Sequence, residues 1–400
     1  MSKVLISFLG TSRPNNRQYN KATYAFDDGT TRTTSFIAEA LAEYHHVDKM
    51  ILIGTAKSMW EEVYYVFAEK NNCLKEEIYD EIAHACTAAN HTTALSIPHI
   101  DAIEEVLGKG SKIMLIKYGL NSDEIEFNAS QILSIEDYLS NGDQIIVDIT
   151  HSFRSLPMLL MNALIYLQNV SRKNLTIERV TYGMLDVTTE MGGKTPVVDL
   201  SNLLKMSDWI AGAYAFAQFG NAYKISELME DEDKSVAERL RQFSDILNLN
   251  HIALVKSETS NLSAIKTKKY ASKIPEMILT PIVRDFLDNF SSAKTHGAFQ
   301  FQLAKWQFEH HNYCAAYITL QEAIITYVCE QKGLDHADYY TREDVKKALK
   351  DPPYDTLSTI YKKIKKTRNS LAHNIRSESN STNMISSLRD YIQQLKDIIK

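Results

Sequence analysis

The chain has little cysteine, and none of it is arranged for chemistry. Its four cysteines are Cys73, Cys86, Cys314 and Cys329, and no pair has zinc-ligand or redox spacing. Reduced thiols are therefore expected, as in a reducing compartment. No run approaches the roughly 18 apolar residues of a membrane span. The opening "MSKVLISFLG" lacks the shape of a signal peptide: its apolar run is short and reads as a strand. A cytoplasmic protein without a membrane partner is expected. The net charge of −6 leaves no global basic field, so any nucleic acid must be met by local patches. No GxGxxG follows the first strand, which argues against a dinucleotide-dependent dehydrogenase. The pairs His45-His46, His84 with His91, and His310-His311 lack the ligand company of a metal centre, and none is expected. Internal repeats and low-complexity tracts are absent too.

What is present divides in two. A length of 400 residues is too great for one ordinary core and predicts two or three domains. In the first 200 residues, short apolar runs alternate with helical patterns. The runs "VLISFLG", "MILIG", "KIMLIKYG", "QIIVDIT" and "ERVTYGM" are Ile- and Val-rich, as buried parallel strands are. "TSFIAEALAEY", "SMWEEVYYVFAEK", "FNASQILSIEDYLS" and "SLPMLLMNALIYLQNV" read as helices, the last apolar nearly all round and so deeply packed. This alternation predicts an open parallel sheet with crossover helices. "GGKT" then turns the chain into "PVVDL", read as the second arm of an edge hairpin. From Leu203 on, the strand pattern stops. "LLKMSDWIAGAYAFAQFGNAYKISELMED" reads as one long helix, and "KSETSNLSAIKTKKYASK" as a loop or linker. Two helices meet at His310-His311-Asn312, and two more follow Pro353. The expected fold class is α/β plus all-α. A Rossmann-like parallel-sheet domain spans 1–200 and a helical region spans 201–400.

The stretch "VDITHSFRSLP" ends the fourth strand and opens a helix. In open α/β sheets, ligands bind beyond the C-terminal strand ends, where helix N-termini present free N–H groups. Asp148 ends the strand; Thr150, His151, Ser152, Phe153, Arg154 and Ser155 crowd the turn. Hydroxyls, an imidazole and a guanidinium suit a phosphate or a nucleotide edge. The bland reading keeps Thr150 and Ser152 as helix caps and Arg154 as a surface ion-pair partner. The other strand ends add to the set. The first supplies Gly10, Thr11, Ser12 and Arg13, with Tyr19 and Tyr24 further on; the second supplies Gly54, Thr55 and Lys57.

A second stretch, "TRNSLAH", lies on the helix after Pro353. Its apolar stripe is Leu357, Ile360, Tyr361, Ile364 and Leu371, and Arg368 occupies the same stripe. A charge in an apolar seam needs a partner. His373 lies about 140° further round the helix, so one helix does not close both side chains on one atom. Two copies facing each other would pool two arginines and two histidines. Asn369, one turn before His373, would orient it or touch substrate. Such a set suits metal-free RNA cleavage: histidine moves protons near neutral pH, and arginine stabilises charge on a five-coordinate phosphorus. From Tyr340 to Arg368 nine Lys/Arg face four acids, an excess able to hold an RNA backbone. Alone, RxxxxH is also what a solvated basic helix would carry by chance.

Taken together, the stretches resemble the CARF–HEPN ribonucleases of type III CRISPR systems, over nearly the whole chain. "LGT" and "DITHSFRSLP" look like ligand-binding motifs of the Rossmann-like CARF domain, and "RNSLAH" looks like the RxxxxH motif of the helical HEPN domain. The resemblance implies a homodimer, open to higher assembly, that binds cyclic oligoadenylate across its two-fold axis and then cuts single-stranded RNA. The ring is an allosteric activator rather than a cofactor, with cyclic tetra-adenylate the family habit. It implies Arg368 and His373 as catalytic, with Asn369 beside them, and Thr11, Asp148, Thr150, His151, Ser152 and Arg154 as ligand contacts. It also implies Glu322 as a partner for Arg368. Rival readings are a CARF ring nuclease that degrades cyclic oligoadenylate, and a ligand-sensing regulator without catalysis. A DNA-binding regulator lacks a helix-turn-helix, and a metal nuclease lacks its strand-borne acid and lysine set.

Overall fold

The computed structural model describes residues 1–14, 18–350, 355–373 and 380–400. It divides into two compact units, Met1–Lys205 and Met206–Lys400. The first holds an eight-stranded sheet: β1 (Lys3–Phe8), β2 (Ala22–Ala25), β3 (Thr31–Thr34), β4 (Lys49–Gly54), β5 (Lys112–Leu115), β6 (Gln144–Asp148), β7 (Thr176–Gly183) and β8 (Lys194–Asp199). The order across it is β3-β2-β8-β7-β6-β1-β4-β5. Pairings from β7 through β5 are all parallel, while β7 with β8 and β2 with β3 are antiparallel.

Alternation along the central strands explains the doubly wound form. Leu5, Met50, Leu52 and Ile146 face one core with Trp60 and Tyr64. Val4, Ile6, Ile51, Ile53, Ile145 and Val147 face the other, with Leu156, Leu160 and Leu164 of the helix Ser155–Asn169. Both sheet faces are thus covered, as parallel sheets require. That helix is not deeply packed, contrary to its composition: Met158 is 71% exposed. Only the Leu156–Leu160–Leu164 side meets the sheet. The expected hairpin with β8 forms, but β8 is no edge. The β2–β3 hairpin adds to it, β2 running parallel to β8. "ATYA" and "TRTT" are four residues each and too short to show periodicity.

β6 carries a buried aspartate near each end. Before it, Asp143 accepts the Lys49 ammonium at 2.9 Å and the amides of Ser2 and Ser140 at 3.0 and 2.9 Å. Burial pushes its pKa up, but these donors outweigh burial and hold it below the usual range. This end is closed by charge pairing. The other end is different.

Among the described residues the second unit has helices and no strand, and these gather in two hydrophobic cores. The first gathers Phe216, Phe243, Phe286 and Trp306; the second gathers Phe301, Tyr317, Ile324, Tyr361 and Leu388. The helix His296–Glu309 contributes to both. The expected long helix breaks into Asn202–Phe219 and Tyr223–Met229 at Gly220. Gly220 has φ +66°, and a Cβ there would meet Leu247 at 2.1 Å. Only glycine permits that turn and that packing. The expected polar loop is instead the helix Ile252–Leu262 and a short 3₁₀ turn, Ser263–Thr267. Val255, Leu262 and Ile265 anchor it by burial, which overrides its polar composition.

Candidate functional site

The C-terminal ends of β6, β1 and β4 lie side by side, with β1 at the point where strand order reverses. A cavity of about 290 Å³ opens there. Gly10, Thr11, Gly54, Thr55, Thr150, His151, Ser152 and Phe153 line it, as the strand-end reading predicts. Ser58, the first residue of the "SMWEEVYYVFAEK" stretch, lines it too without having been singled out.

The wall is stitched between loops. Ser58 Oγ donates to the Leu9 carbonyl at 2.9 Å and accepts the Thr55 amide at 3.1 Å. The Trp60 indole donates to the Thr55 carbonyl at 2.9 Å. These bonds bring Ser58 and Trp60 so near Gly54 that a Cβ there would lie 2.7 Å from each. At Gly10 the His151 ring lies flush on the backbone, 3.3 Å from where a Cβ would stand. Both glycines are close-approach positions.

Asp148 is fully buried behind this wall. It accepts Ser7 Oγ at 2.6 Å, Thr150 Oγ1 at 2.5 Å and the Thr150 amide at 3.1 Å. Thr150 Oγ1 in turn accepts the Gly183 amide at 2.7 Å. Burial pushes the Asp148 pKa up against those hydrogen bonds and the pull of His151. Burial pushes His151 down, opposed by Asp148. The cavity therefore presents an imidazole whose protonation burial disfavours, together with hydroxyls and backbone groups. No carboxylate is among its described lining residues, so an anionic ligand meets no like charge from them.

Several predicted contacts lie elsewhere. Asp148 positions Thr150 rather than lining the cavity. Tyr24 is 1% exposed, buried among core side chains, and burial followed by Asp148 raises its pKa. Tyr19 is buried and donates to Glu61 at 2.5 Å. β2 carries Tyr24 into the sheet, which its four residues did not reveal. Ser12 and Arg154 are exposed, and neither they nor Ser155, the first residue of its helix, lines the cavity. Phe153 is 44% exposed and meets Tyr118 at 5.1 Å between ring centroids. Tyr118 sits on the loop after β5, where buried Asn128 holds Lys117 by its amide and carbonyl, each at 2.8 Å. Nothing in its sequence spacing marked Tyr118 as a neighbour of this turn.

In the helical unit, Asp355–His373 forms the expected helix, with Leu357, Ile360, Tyr361 and Ile364 buried. The stripe ends there. Leu371 is 41% exposed, and Arg368 is exposed rather than set in a seam. Arg368 Nη1 donates to Asn369 Oδ1 at 3.3 Å. The side chain of His373 lies outside the described residues. Glu322 does not pair with Arg368: it forms an ion pair with Arg342. Arg342, from the helix Tyr339–Ala348, also donates to Thr326 Oγ1 at 3.1 Å and the His336 carbonyl at 2.8 Å, which hold it beside Glu322.

Among the described residues no helix is long and apolar enough to cross a membrane. No group of three or more His, Cys, Asp or Glu gathers as metal ligands among them.

Residues 4–186 match the family described as CRISPR system endoribonuclease Csx1, CARF domain. Residues 205–295 match the second domain of CRISPR-associated protein MJ1674. The MJ1674 protein of Methanocaldococcus jannaschii is 34% identical over 424 residues, covering 100% of this chain and 66% of that protein. The chain thus spans about two thirds of its relative's length. The solved structure of Enterococcus italicus Csm6 bound to cyclic hexa-2'-fluoro-hexa-dAMP covers 100% of this chain and 95% of its own. Its TM-score of 0.39 and 11% identity are too low to bear on function. By its family matches over both units, the chain belongs to the CRISPR-associated proteins built on a Csx1-type CARF domain.

Proposed function

We propose that this protein is a cyclic oligoadenylate-activated, metal-independent endoribonuclease of CRISPR defence. The observation that carries the reading is the strand-end cavity of a Csx1-type CARF domain, lined by Thr150, His151, Ser152 and Phe153. A cyclic oligoadenylate has phosphates for backbone N–H groups and hydroxyls, and adenines for an aromatic ledge. Each cavity holds part of the ring, and two copies related by a two-fold axis hold all of it, since a symmetric ring matches a symmetric pocket. Exposed Phe153 and Met158 beside the turn leave apolar surface for the second copy.

Cleavage belongs to the helix Asp355–His373. Arg368 is exposed and free to approach a phosphate from solvent. Pooled with His373 from two copies, it stabilises negative charge as an RNA 2′-OH attacks the adjacent phosphorus. The P–O5′ bond breaks, leaving a 2′,3′-cyclic phosphate and a 5′-OH. The 2′-OH gives up its proton and the leaving oxygen gains one, a transfer suited to histidine. Ring binding drives activation only through different affinity for the two subunit arrangements.

The test is a quenched fluorescent single-stranded RNA with EDTA, read without ligand and then with cyclic tri-, tetra- and hexa-adenylate. Cleavage switched on by one ring, and lost in Arg368→Ala and His373→Ala while ring binding persists, is expected. Normal cleavage by the His373 variant would place the active site elsewhere. Silence with every ring, with the rings consumed, would make the cavity a ring nuclease.

A further inference from the structure

The helical unit contains a second built pocket, of about 370 Å³, that the cleavage reading does not use. Its walls come from the helices Ile252–Leu262, His296–Glu309 and Tyr313–Gln331 and the segment entering Tyr339–Ala348. The volume admits one nucleotide and excludes a helix or a folded partner.

Its polar lining is cationic and imidazole-rich. His296 and His336 stand with ring centroids 4.3 Å apart, tilted by 40°. Lys256 lines the same pocket and has no ion-pair partner among the described residues. Arg342 lines it with its charge met by Glu322, while the Lys256 ammonium has no carboxylate within ion-pair distance among the described residues. The nearby Glu330 carboxylate is occupied: it accepts the His296 and Gly297 amides at 2.7 and 3.2 Å, capping their helix. Gln300 Oε1 is buried and has no hydrogen-bond partner. A buried acceptor without a donor is costly unless a ligand or a water donates to it. Phe299 and Ile252 supply the apolar remainder. An unpaired ammonium with two imidazoles recognises a phosphate, and a carboxamide beside apolar surface recognises a base edge.

We propose that this pocket is a nucleotide subsite, in which Lys256, His296 and His336 hold the phosphate and Gln300 faces the base. It lies beside the cleavage helix: Glu322, which lines it, sits on the helix Tyr313–Gln331, whose Leu320, Ile324 and Val328 share a core with Leu357, Ile360, Tyr361 and Ile364 of Asp355–His373. On the ribonuclease reading above, on which this assignment of substrate rests, it receives one nucleotide of the RNA strand beyond the cut.

The experiment uses the full chain and two probes. Adenosine 5′-monophosphate binding is measured by calorimetry, with adenosine and inorganic phosphate as comparisons. Affinity for a fluorescent, uncleavable 2′-O-methyl oligoribonucleotide is read by anisotropy. Lys256→Ala and His336→Ala are expected to remove one nucleotide-binding component and to weaken the oligonucleotide about tenfold or more. The component lost in these variants reports this pocket, since the strand-end cavity is untouched by either substitution. Gln300→Leu is expected to weaken the mononucleotide but not inorganic phosphate. Unchanged binding of both probes in the Lys256 and His336 variants would overturn the proposal, and so would phosphate binding as tightly as the mononucleotide. None of these readouts needs cleavage. A protein that binds both probes but never cuts RNA would sink the ribonuclease reading and leave the pocket standing.

Discussion

Thr150 Oγ1 donates to the buried Asp148 carboxylate at 2.5 Å while accepting the Gly183 amide at 2.7 Å. One hydroxyl thus ties the end of β6 to the end of β7 and fixes the turn that carries His151. Thr150→Val removes both bonds and leaves the Gly183 donor without its partner. A loss of about 1–3 kcal/mol in the stability of the N-terminal unit is expected. Thr150→Ser keeps the hydroxyl and should stay near the parent. Urea unfolding of both variants checks this.

Asp148 and His151 make opposite contributions to stability against pH. The folded pKa of His151 is lowered, so as pH falls below about 6.5 the unfolded chain takes up the proton first and stability drops. The folded pKa of Asp148 is raised, so as pH rises above about 3.9 the unfolded chain loses its proton first and stability also drops. Between pH 7 and 5, His151→Gln should flatten the acid-side loss and Asp148→Asn should steepen it. Each group contributes at most about 1.4 kcal/mol per pH unit. Unfolding midpoints across that window decide it, and parallel slopes for both variants would refute the assignment.

Gly54→Ala should damage the cavity more than Gly10→Ala. The new methyl at 54 would lie 2.7 Å from both Ser58 Oγ and the Trp60 ring, which are held by their own hydrogen bonds. At 10 it would lie 3.3 Å from His151. Overpacking of about 1–3 kcal/mol is expected at 54, with reduced ring binding, and a smaller loss at 10. Thermal unfolding and calorimetry with cyclic tetra-adenylate measure both.

Phe153 offers an exposed aromatic face at the cavity mouth. If an adenine of the ring stacks there, Phe153→Ala weakens ring binding by about 1–3 kcal/mol, and Phe153→Trp retains it. Direct binding measurements with the purified ring distinguish this from a folding defect.

Glu322→Gln should act on stability rather than on catalysis alone. The carboxylate holds Arg342, which also satisfies Thr326 and the His336 carbonyl. Removing the charge leaves a largely buried guanidinium underpaired, which lowers the denaturant midpoint of the helical unit. An unchanged midpoint with abolished cleavage would return Glu322 to the active site.

The sequence by itself determined the strand-end cluster and the two fold classes. Continuous Ile- and Val-rich runs bury both faces, and a parallel sheet places its strand ends at one rim, so "LGT", "GT" and "THSF" share that rim. It also determined Leu357, Ile360, Tyr361 and Ile364 as the buried face of a helix. Only the tertiary structure decided which donors face the cavity. Tyr19 and Tyr24 carry the same chemistry as a ligand contact, but Glu61 and the β2 pairing take them inward. Likewise Arg368 shares a stripe with Ile364, yet burial along a helix lasts only as far as neighbouring helices reach, and here it stops short of Arg368. The pairing of Glu322 with Arg342 turns on the same point. Charge partners are chosen by distance in the folded chain, and spacing along the sequence does not carry that information.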